Sequence, residues 1–188
     1  MIESFAIYNY GQFCGFQETL LSKGTNLIAG IEGSGKTFLF NLLKEGLVED
    51  NTRIKVRHSI KNADRLLDLI FVSERDLKDS QYRHRFREFH DLIDSKKKEC
   101  FDRKMEPIFQ RSLDEFFHPR CQRIFWNLYH LLALRNSIGC SDLPLVIDDI
   151  FYATNELTFM GMNQTGIMKM LDASQCQKII FYYIGITR

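Results

Sequence analysis

One short stretch limits what this chain can fold into more than any other: residues 30–37, which read GIEGSGKT. It matches the pattern G-x-x-x-x-G-K-[ST] at every fixed position. Residues 25–29 before it read as a short buried strand, and residues 38–44 after it read as an apolar helix. A strand, a glycine-rich loop and a helix in this order form a phosphate-binding loop. The stretch therefore predicts binding of a nucleoside triphosphate, and the alternative is a chance glycine-rich turn.

The chemistry of such a loop assigns a candidate role to each of its residues. Glycines let successive backbone N–H groups turn toward a phosphate chain, and the N-terminus of the helix adds its positive dipole end. Lys36 is expected to reach the β- and γ-phosphates, and the Thr37 hydroxyl is expected to bind Mg²⁺. The remaining predicted nucleotide contacts are Gly30, Ile31, Glu32, Gly33, Ser34, Gly35 and Phe38.

Composition places the chain among ordinary globular proteins. Its 188 residues suffice for a hydrophobic core, so we expect a single domain over residues 1–188. The net charge of +1 argues neither for nor against a nucleic-acid partner. Five scattered cysteines without a C-x-x-C pair favour a reducing compartment and offer no zinc template. Because no apolar run approaches the ~20 residues of a membrane span and no basic leader is present, the expected location is the cytoplasm.

Apolar strands that alternate with helices predict an α/β fold. A mainly parallel core sheet would be covered by helices on both faces and preceded by an N-terminal β-hairpin. Residues 81–117 read as an amphipathic helix broken near Pro107 and again near Pro119, within a short helical arm over residues 73–117. The other predicted elements are a hairpin at 2–9 and 13–20, an exposed strand at 53–57, buried strands at 66–72 and 143–149, a last strand at 178–184, and helices at 36–47, 121–135 and 163–173.

A second motif lies at residues 145–149, which read LVIDD. Apolar residues followed by an acid at the carboxyl end of a strand are the Walker B pattern. Asp148 is expected to hold Mg²⁺, usually through water, on the strand beside the phosphate-binding loop. Asp149 is the catalytic candidate, because a second acid there can orient or deprotonate an attacking water. The alternative is that one of these acids caps the next helical turn.

The order and spacing of the motifs indicate a particular class of ATPase. A hairpin precedes the loop, the second motif follows more than a hundred residues later, and no N-K-x-D or D-x-x-G pattern of a GTPase is present. Residues 5–16, 27–37 and 143–149 together resemble an SMC/RecF-like ABC-type P-loop ATPase head. The Asp-Asp ending is similar to that of compact ATPases found beside nucleases in bacterial defence loci.

This resemblance implies an ABC ATPase head-like P-loop NTPase fold, with ATP and Mg²⁺ as cofactors. It places Gln81, by position alone, as the lid glutamine that contacts the metal. Two family features are replaced here. Residues 118–123, HPRCQR, stand where the signature Ser-x-Gly-Glu/Gln would open the helix before Walker B, and Tyr183 stands near the place of the switch histidine.

The function implied is ATP binding with slow hydrolysis, coupled to association with a second copy or with an effector on a separate chain. A role in DNA-related or antiviral defence follows from the same resemblance. Two alternatives stay open at this point. One is an ATP-sensing structural subunit without turnover, and the other is a P-loop phosphotransferase acting on a small acceptor.

Basic residues are frequent between positions 83 and 104, among them Arg85, Arg87 and the run at 96–98. Acids at positions 88, 91, 94, 99 and 102 are interleaved with them, in the spacing that gives i,i+4 ion pairs on an exposed helix. We therefore expect a solvated helical face. Contact with nucleic acid or with a partner protein is the alternative.

Overall fold

The computed structural model describes residues 1–11, 13–115, 119–148 and 165–184. These residues belong to two compact units. The first takes its residues from 1–72, 143–148 and 176–184, and the second from 73–142 and 165–175. The assignment of residues 1–188 to one domain with an inserted arm at 73–117 stays a prediction.

The first unit contains a three-stranded antiparallel sheet. Strand β1 (Ile2–Tyr10) lies between β2 (Phe13–Leu20) and β4 (Ile54–His58), and it runs antiparallel to both. The predicted N-terminal hairpin is therefore confirmed. The charged, alternating segment predicted as an exposed or edge strand is β4, at one edge of this sheet.

A second, four-stranded sheet carries the two sequence motifs. Its strands are β3 (Thr25–Gly30), β5 (Phe71–Ser73), β6 (Leu145–Asp148) and β7 (Lys178–Tyr183), in the spatial order β3-β7-β6-β5. Both β3 and β6 run parallel to β7, which confirms the mainly parallel core sheet.

The prediction that β3 is buried was wrong, since its residues are exposed or half-buried and the Leu27 side chain is 65% exposed. In the described chain β3 pairs only with β7 and forms an edge of the sheet, so on each face its side chains have neighbours from one adjacent strand only.

The apolar segment at residues 66–72 is mostly a helix and not the predicted buried strand. Helix α2 spans Ala63–Ile70, and only Phe71–Ser73 continues as β5. Apolar residues at 66, 67, 69 and 70 fit one face of a helix as well as a short buried strand, and a run of this length cannot separate the two. Leu69 and Ile70 are fully buried, so the helix turns this apolar face inward.

Helix α1 (Lys36–Gly46) connects the phosphate-binding loop to the core of the first unit. It packs against β6, β7 and β4 and buries four apolar side chains: Leu39, Phe40, Leu42 and Leu43. The Phe40 ring stands edge-on to the rings of Phe71 and Phe181 at 5.4 and 5.9 Å. This core therefore joins the helix directly to the sheet that carries Asp148.

The second unit consists of helices. They are α3 (Glu74–Lys78), a 3-10 helix (Tyr82–Leu92), α4 (Ser95–Glu115), α5 (Pro119–Ser137) and α6 (Thr165–Ala173). Helix α4 packs against α5 and α6, and α5 also contacts α3. The buried helix predicted at 121–135 is confirmed as α5, and the helix predicted at 163–173 is confirmed as α6 over residues 165–173. Residues 163 and 164 lie outside the described residues. No helix in the described ranges is long and apolar enough to cross a lipid bilayer.

The helical segment differs from the prediction in where it breaks. Pro107 lies inside α4 without ending it, so the predicted break there was wrong. The break falls at Asp94, whose Oδ1 accepts hydrogen bonds from the N–H groups of Lys96 and Lys97 at 2.9 and 3.2 Å, and starts a new helix. Packing against α5 and α6 holds α4 together across the proline.

The interleaved charges of α4 form the expected i,i+4 ion pairs. Lys98 contacts Asp102 at 2.6 Å, and Arg103 pairs with Glu99. Residues 94–100 are all exposed, so the expectation of a solvated face is met over this part of the helix.

Candidate functional site

The phosphate-binding loop joins the carboxyl end of β3 to the first residue of α1. Gly33 and Gly35 have φ values of +74° and +84°, in the left-handed region that favours glycine, and Gly35 is the N-cap of α1. A Cβ atom placed on Gly30 would lie less than 3.0 Å from the Ser34 Oγ. Glycine at these three positions therefore allows the tight turn of the loop.

The Lys36 ammonium group lies over the loop. Its Nζ donates hydrogen bonds to the backbone oxygens of Gly30 and Ile31 at 2.9 and 2.8 Å, and to the Ser34 Oγ at 3.4 Å. The Tyr183 ring lies 5.2 Å from the same atom, within cation–π distance. The positive charge is thus held over the glycine-rich turn by neutral acceptors, which a negatively charged phosphate oxygen can replace.

The N-terminus of α1 adds to the positive potential of the loop. Its first α-helical hydrogen bond runs from the Leu39 N–H to the Gly35 oxygen at 2.9 Å, so the N–H groups of Lys36, Thr37 and Phe38 precede the helical ladder. No acidic residue occupies this first turn, and the Thr37 side chain is exposed. An anion at this position therefore meets the helix dipole without an opposing carboxylate in the first turn of α1.

Asp148 lies at the carboxyl end of β6, and its side chain is buried. The sequence-based expectation placed this strand beside the phosphate-binding loop, and that was wrong: β7 lies between β3 and β6. Asp148 is in register with Phe181 of β7, and Gly30 with Tyr183. Two strand spacings, about 10 Å, therefore separate the two strand ends. Strand order follows from packing across the sheet, which chain order does not encode.

The other two predicted site residues are Asp149 and Gln81. Asp149 lies outside the described residues. Gln81 belongs to the second unit, where its side chain is exposed and its N–H donates to the Asp79 Oδ1 at 2.8 Å. Its role as a metal ligand stays a prediction.

The described part of the chain contains no cluster of three or more His, Cys, Asp or Glu residues that could hold a metal ion. Protein side chains alone therefore do not form a metal site there. Thr37 and Asp148 each offer one oxygen-bearing side chain. Mg²⁺ is commonly bound in this way, by one or two protein ligands with substrate phosphates and waters completing its shell. The donors present therefore fit a magnesium–nucleotide complex better than a free metal.

An aromatic stack beside the loop was missed by sequence reasoning. The Phe38 ring stacks on Tyr10 at 5.1 Å, and the Arg53 guanidinium lies 4.5 Å from the Tyr10 ring centroid on β1. Arg53 also donates a hydrogen bond to the Tyr10 hydroxyl at 2.8 Å. Only Phe38 had a sequence signal, through its position after the loop. Arg53 reaches Tyr10 because β4 pairs with β1, a contact between distant parts of the chain.

Comparisons with known proteins identify the fold. No family model matches the chain, and no curated protein matches it. Among solved structures, the SMC head domain from Thermotoga maritima is 12% identical, with 97% of this chain and 89% of that one covered and a TM-score of 0.56. For cbiO1 from Clostridium perfringens, part of the ABC transporter complex cbiONQ, the identity is 14%, the coverage 96% and 78%, and the TM-score 0.50. The chain thus has the α/β fold of these structures, as its sequence motifs predicted.

Proposed function

We propose that this chain binds ATP with Mg²⁺ on the phosphate-binding loop and hydrolyses it slowly. The observation that carries the proposal is the Lys36 ammonium held over a glycine-rich turn at a helix N-terminus. Asp148 adds a carboxylate at the carboxyl edge of the same sheet. A charged lysine, backbone N–H groups and a nearby acid are the groups that nucleoside triphosphate binding requires.

Each residue has a distinct part in this function. Lys36 would exchange its backbone acceptors for β- and γ-phosphate oxygens, and the N–H groups of the first turn of α1 would stabilise the same negative charge. Thr37 and Asp148 would hold Mg²⁺, which neutralises phosphate charge when it is bound. Asp149 would orient the attacking water, and its carboxylate, one methylene shorter than glutamate, would hold that water in a slightly different position.

The aromatic stack supports a site for the base. Phe38 follows the loop directly, and its ring is fixed against Tyr10, which is in turn covered by Arg53. We assign this stack to contact with the adenine, because a planar base gains from an aromatic or guanidinium surface.

A pair of lysines on α1 provides the test. Lys36→Ala removes the proposed phosphate contact, whereas Lys44→Ala removes an equal charge from an exposed ion pair with Asp68 at 3.7 Å. Titration calorimetry with Mg²⁺–ATP should show binding to the wild type and to Lys44→Ala, and a loss of binding in Lys36→Ala. The proposal fails if the wild type does not bind ATP, or if both variants bind it equally.

A second candidate function is nucleotide sensing without turnover. The observation in its favour is Tyr183, which stands near the place of the switch histidine and contacts the Lys36 ammonium with its ring. A tyrosine at this position has a hydroxyl that can donate a hydrogen bond to a phosphate, but it lacks the imidazole that exchanges a proton near neutral pH. Phosphate release by the wild type and by Asp149→Asn separates the two functions, since a rate that disappears in the variant requires turnover.

The cellular part of the proposal rests on the sequence resemblance. It comprises coupling of ATP binding to self-association or to an effector on a separate chain, an antiviral role and a cytoplasmic location. Light scattering with and without ATP tests the coupling. A mass that rises with ATP supports self-association, and a mass that never changes favours a monomeric phosphotransferase or dependence on a separate partner.

A further inference from the structure

The second unit contains an open groove of about 700 Å³, far in sequence from the phosphate-binding loop. It runs between the start of the 3-10 helix and helix α5. We call it the basic groove, and its principal lining residues are Arg83, His84, Gln122, Arg123, Trp126 and Asn127. No acidic residue is among those that line it in the described part of the chain. Its volume lies in the range of ligand-binding pockets.

The walls of the basic groove are held in place by a buried amide. The Asn127 side chain on α5 is 4% exposed, and its Nδ2 donates to the backbone oxygens of Leu77 and Asp79 at 2.8 and 3.1 Å. Arg123 adds a longer hydrogen bond from its Nη1 to the Lys78 oxygen at 3.4 Å. These contacts join α5 to the segment that leads into the 3-10 helix, so the groove is a formed feature of the unit.

The acidic residues in the segment before the 3-10 helix do not neutralise the positive charge of the basic groove. Asp76 and Asp79 there are ion-paired with Arg85, at 2.6 and 3.4 Å. Among the side chains that the structure describes, which leave out those of residues 111–121, no carboxylate lies within ion-pair distance of Arg83 or Arg123. The two guanidinium groups therefore present a net positive charge to any ligand in the groove.

Trp126, the only tryptophan of the chain, gives the groove an aromatic surface. Its side chain is 37% exposed, and the His130 ring stacks on it at 5.6 Å with an interplanar angle of 19°. Burial, with smaller contributions from the charges of Arg83 and Lys98, lowers the pKa of His130 to about 4. The histidine is thus neutral near pH 7, and it supports the indole without adding charge beneath it.

We propose that the basic groove binds single-stranded nucleic acid, with one base stacked on Trp126 and the adjoining phosphate between Arg83 and Arg123. Aromatic surfaces beside cationic side chains are how proteins bind unpaired strands, because every base has a π-face and every phosphate a charge. An acidic peptide would use the guanidinium groups but would make no use of the exposed indole surface. This proposal does not depend on ATP binding by the phosphate-binding loop.

The single tryptophan makes the groove directly observable. Oligothymidylate of about 12 nucleotides should quench the fluorescence of the wild type, since the signal comes from Trp126 alone. Raising the salt concentration should weaken binding, because phosphate contacts release counterions. Thymidine monophosphate and duplex DNA, titrated in parallel, distinguish a strand from a free nucleotide and from a double helix.

Substitutions locate the binding. Arg83→Gln and Arg123→Gln should each weaken binding several-fold, and the double variant about tenfold or more. Arg103→Gln, which removes one positive charge from α4 as each single variant does from the groove, should change binding little. Trp126→Ala, followed by anisotropy of a labelled strand, should lose about tenfold or more, and Trp126→Phe should recover part of it. Lys36→Ala should bind the strand as well as the wild type does, even if ATP binding is absent.

Two groups of results would overturn the proposal. The first is the absence of strand binding to the folded wild type, or quenching by the mononucleotide alone. The second is an equal loss in Arg103→Gln and in the double arginine variant, which would indicate attraction to charge anywhere on the surface. Circular dichroism of Trp126→Ala and Trp126→Phe identifies a folding defect, and in that case the arginine variants decide the question.

Discussion

The substitution Gly30→Ala tests whether the shape of the phosphate-binding loop determines nucleotide binding. Gly30 ends β3, and a Cβ atom there would lie less than 3.0 Å from the Ser34 Oγ and 3.1 Å from the Ser34 Cβ. The Ser34 hydroxyl must rotate away from the new methyl group, and the Ser34 Cβ must shift by a few tenths of an ångström. The displaced segment includes the Gly30 and Ser34 acceptors that position the Lys36 ammonium.

The expected size of the effect follows from the cost of overpacking, about 1–3 kcal/mol for an added methyl group without space. If the loop gives way in the free protein and must be restored on binding, this cost appears in the affinity for Mg²⁺–ATP. The dissociation constant should then rise by about 5- to 150-fold. The free energy of unfolding should change less, because the loop is exposed and can relax.

Ser34→Gly removes both atoms that meet the new methyl group, so the double variant of Gly30→Ala with Ser34→Gly should recover much of the lost affinity. Gly24→Ala is the matched control, since its nearest heavy atom, the Ser22 Oγ, is 4.0 Å away. Titration calorimetry on the wild type, Gly30→Ala, Ser34→Gly and the double variant gives the coupling energy between positions 30 and 34. Wild-type affinity in Gly30→Ala, or no recovery in the double variant, would refute the steric reasoning.

Three further predictions concern the metal, the core and pH. Asp148→Asn should lower the affinity for ATP about tenfold in the presence of Mg²⁺ and leave the affinity for ATP without Mg²⁺ unchanged. Calorimetry with and without Mg²⁺ measures both affinities. Gln177→Leu should lower the free energy of unfolding by about 2–4 kcal/mol in urea, because buried Gln177 bonds both backbone groups of Ile2 and the Ser22 oxygen at 2.7–2.8 Å. Since the folded-state pKa of His130 is about 4 and the unfolded value is 6.5, its contribution to stability is complete above pH 6.5 and declines as pH falls toward 4. Urea unfolding near pH 7.5 and pH 5 should show a loss on the order of 2 kcal/mol in the wild type and a smaller one in His130→Gln.

Local sequence patterns predicted an element correctly where one local conformation was much lower in free energy than the alternatives. The hairpin, the loop with its following helix, α5 and the strand ending at Asp148 all appeared where their residues indicated. The segment at 66–72 failed because a short apolar run fits a helix face and a buried strand equally well. The break expected at Pro107 failed because packing of α4 against α5 and α6 outweighs the local cost of proline.

Some residues of the candidate site could likewise be predicted from local sequence, and others could not. Lys36 and Thr37 could be identified from eight consecutive residues, since the loop and its helix are built locally. The Arg53–Tyr10–Phe38 stack could not, because it joins β1, β4 and α1 through contacts between distant residues. The basic groove was equally hidden, since it joins residues some forty positions apart on two helices.

For this protein the sequence by itself determined the phosphate-binding loop, the position of Asp148 at a strand end and the α/β class. These features depend on neighbouring residues, on backbone freedom at glycine and on the alternation of apolar segments. Only the tertiary structure decided that β7 separates the loop from Asp148, that Lys36 rests on the Gly30 and Ile31 oxygens, and that arginines converge on Trp126. Strand order and contacts between helices minimise the free energy of the whole chain, and no local window of residues contains that information.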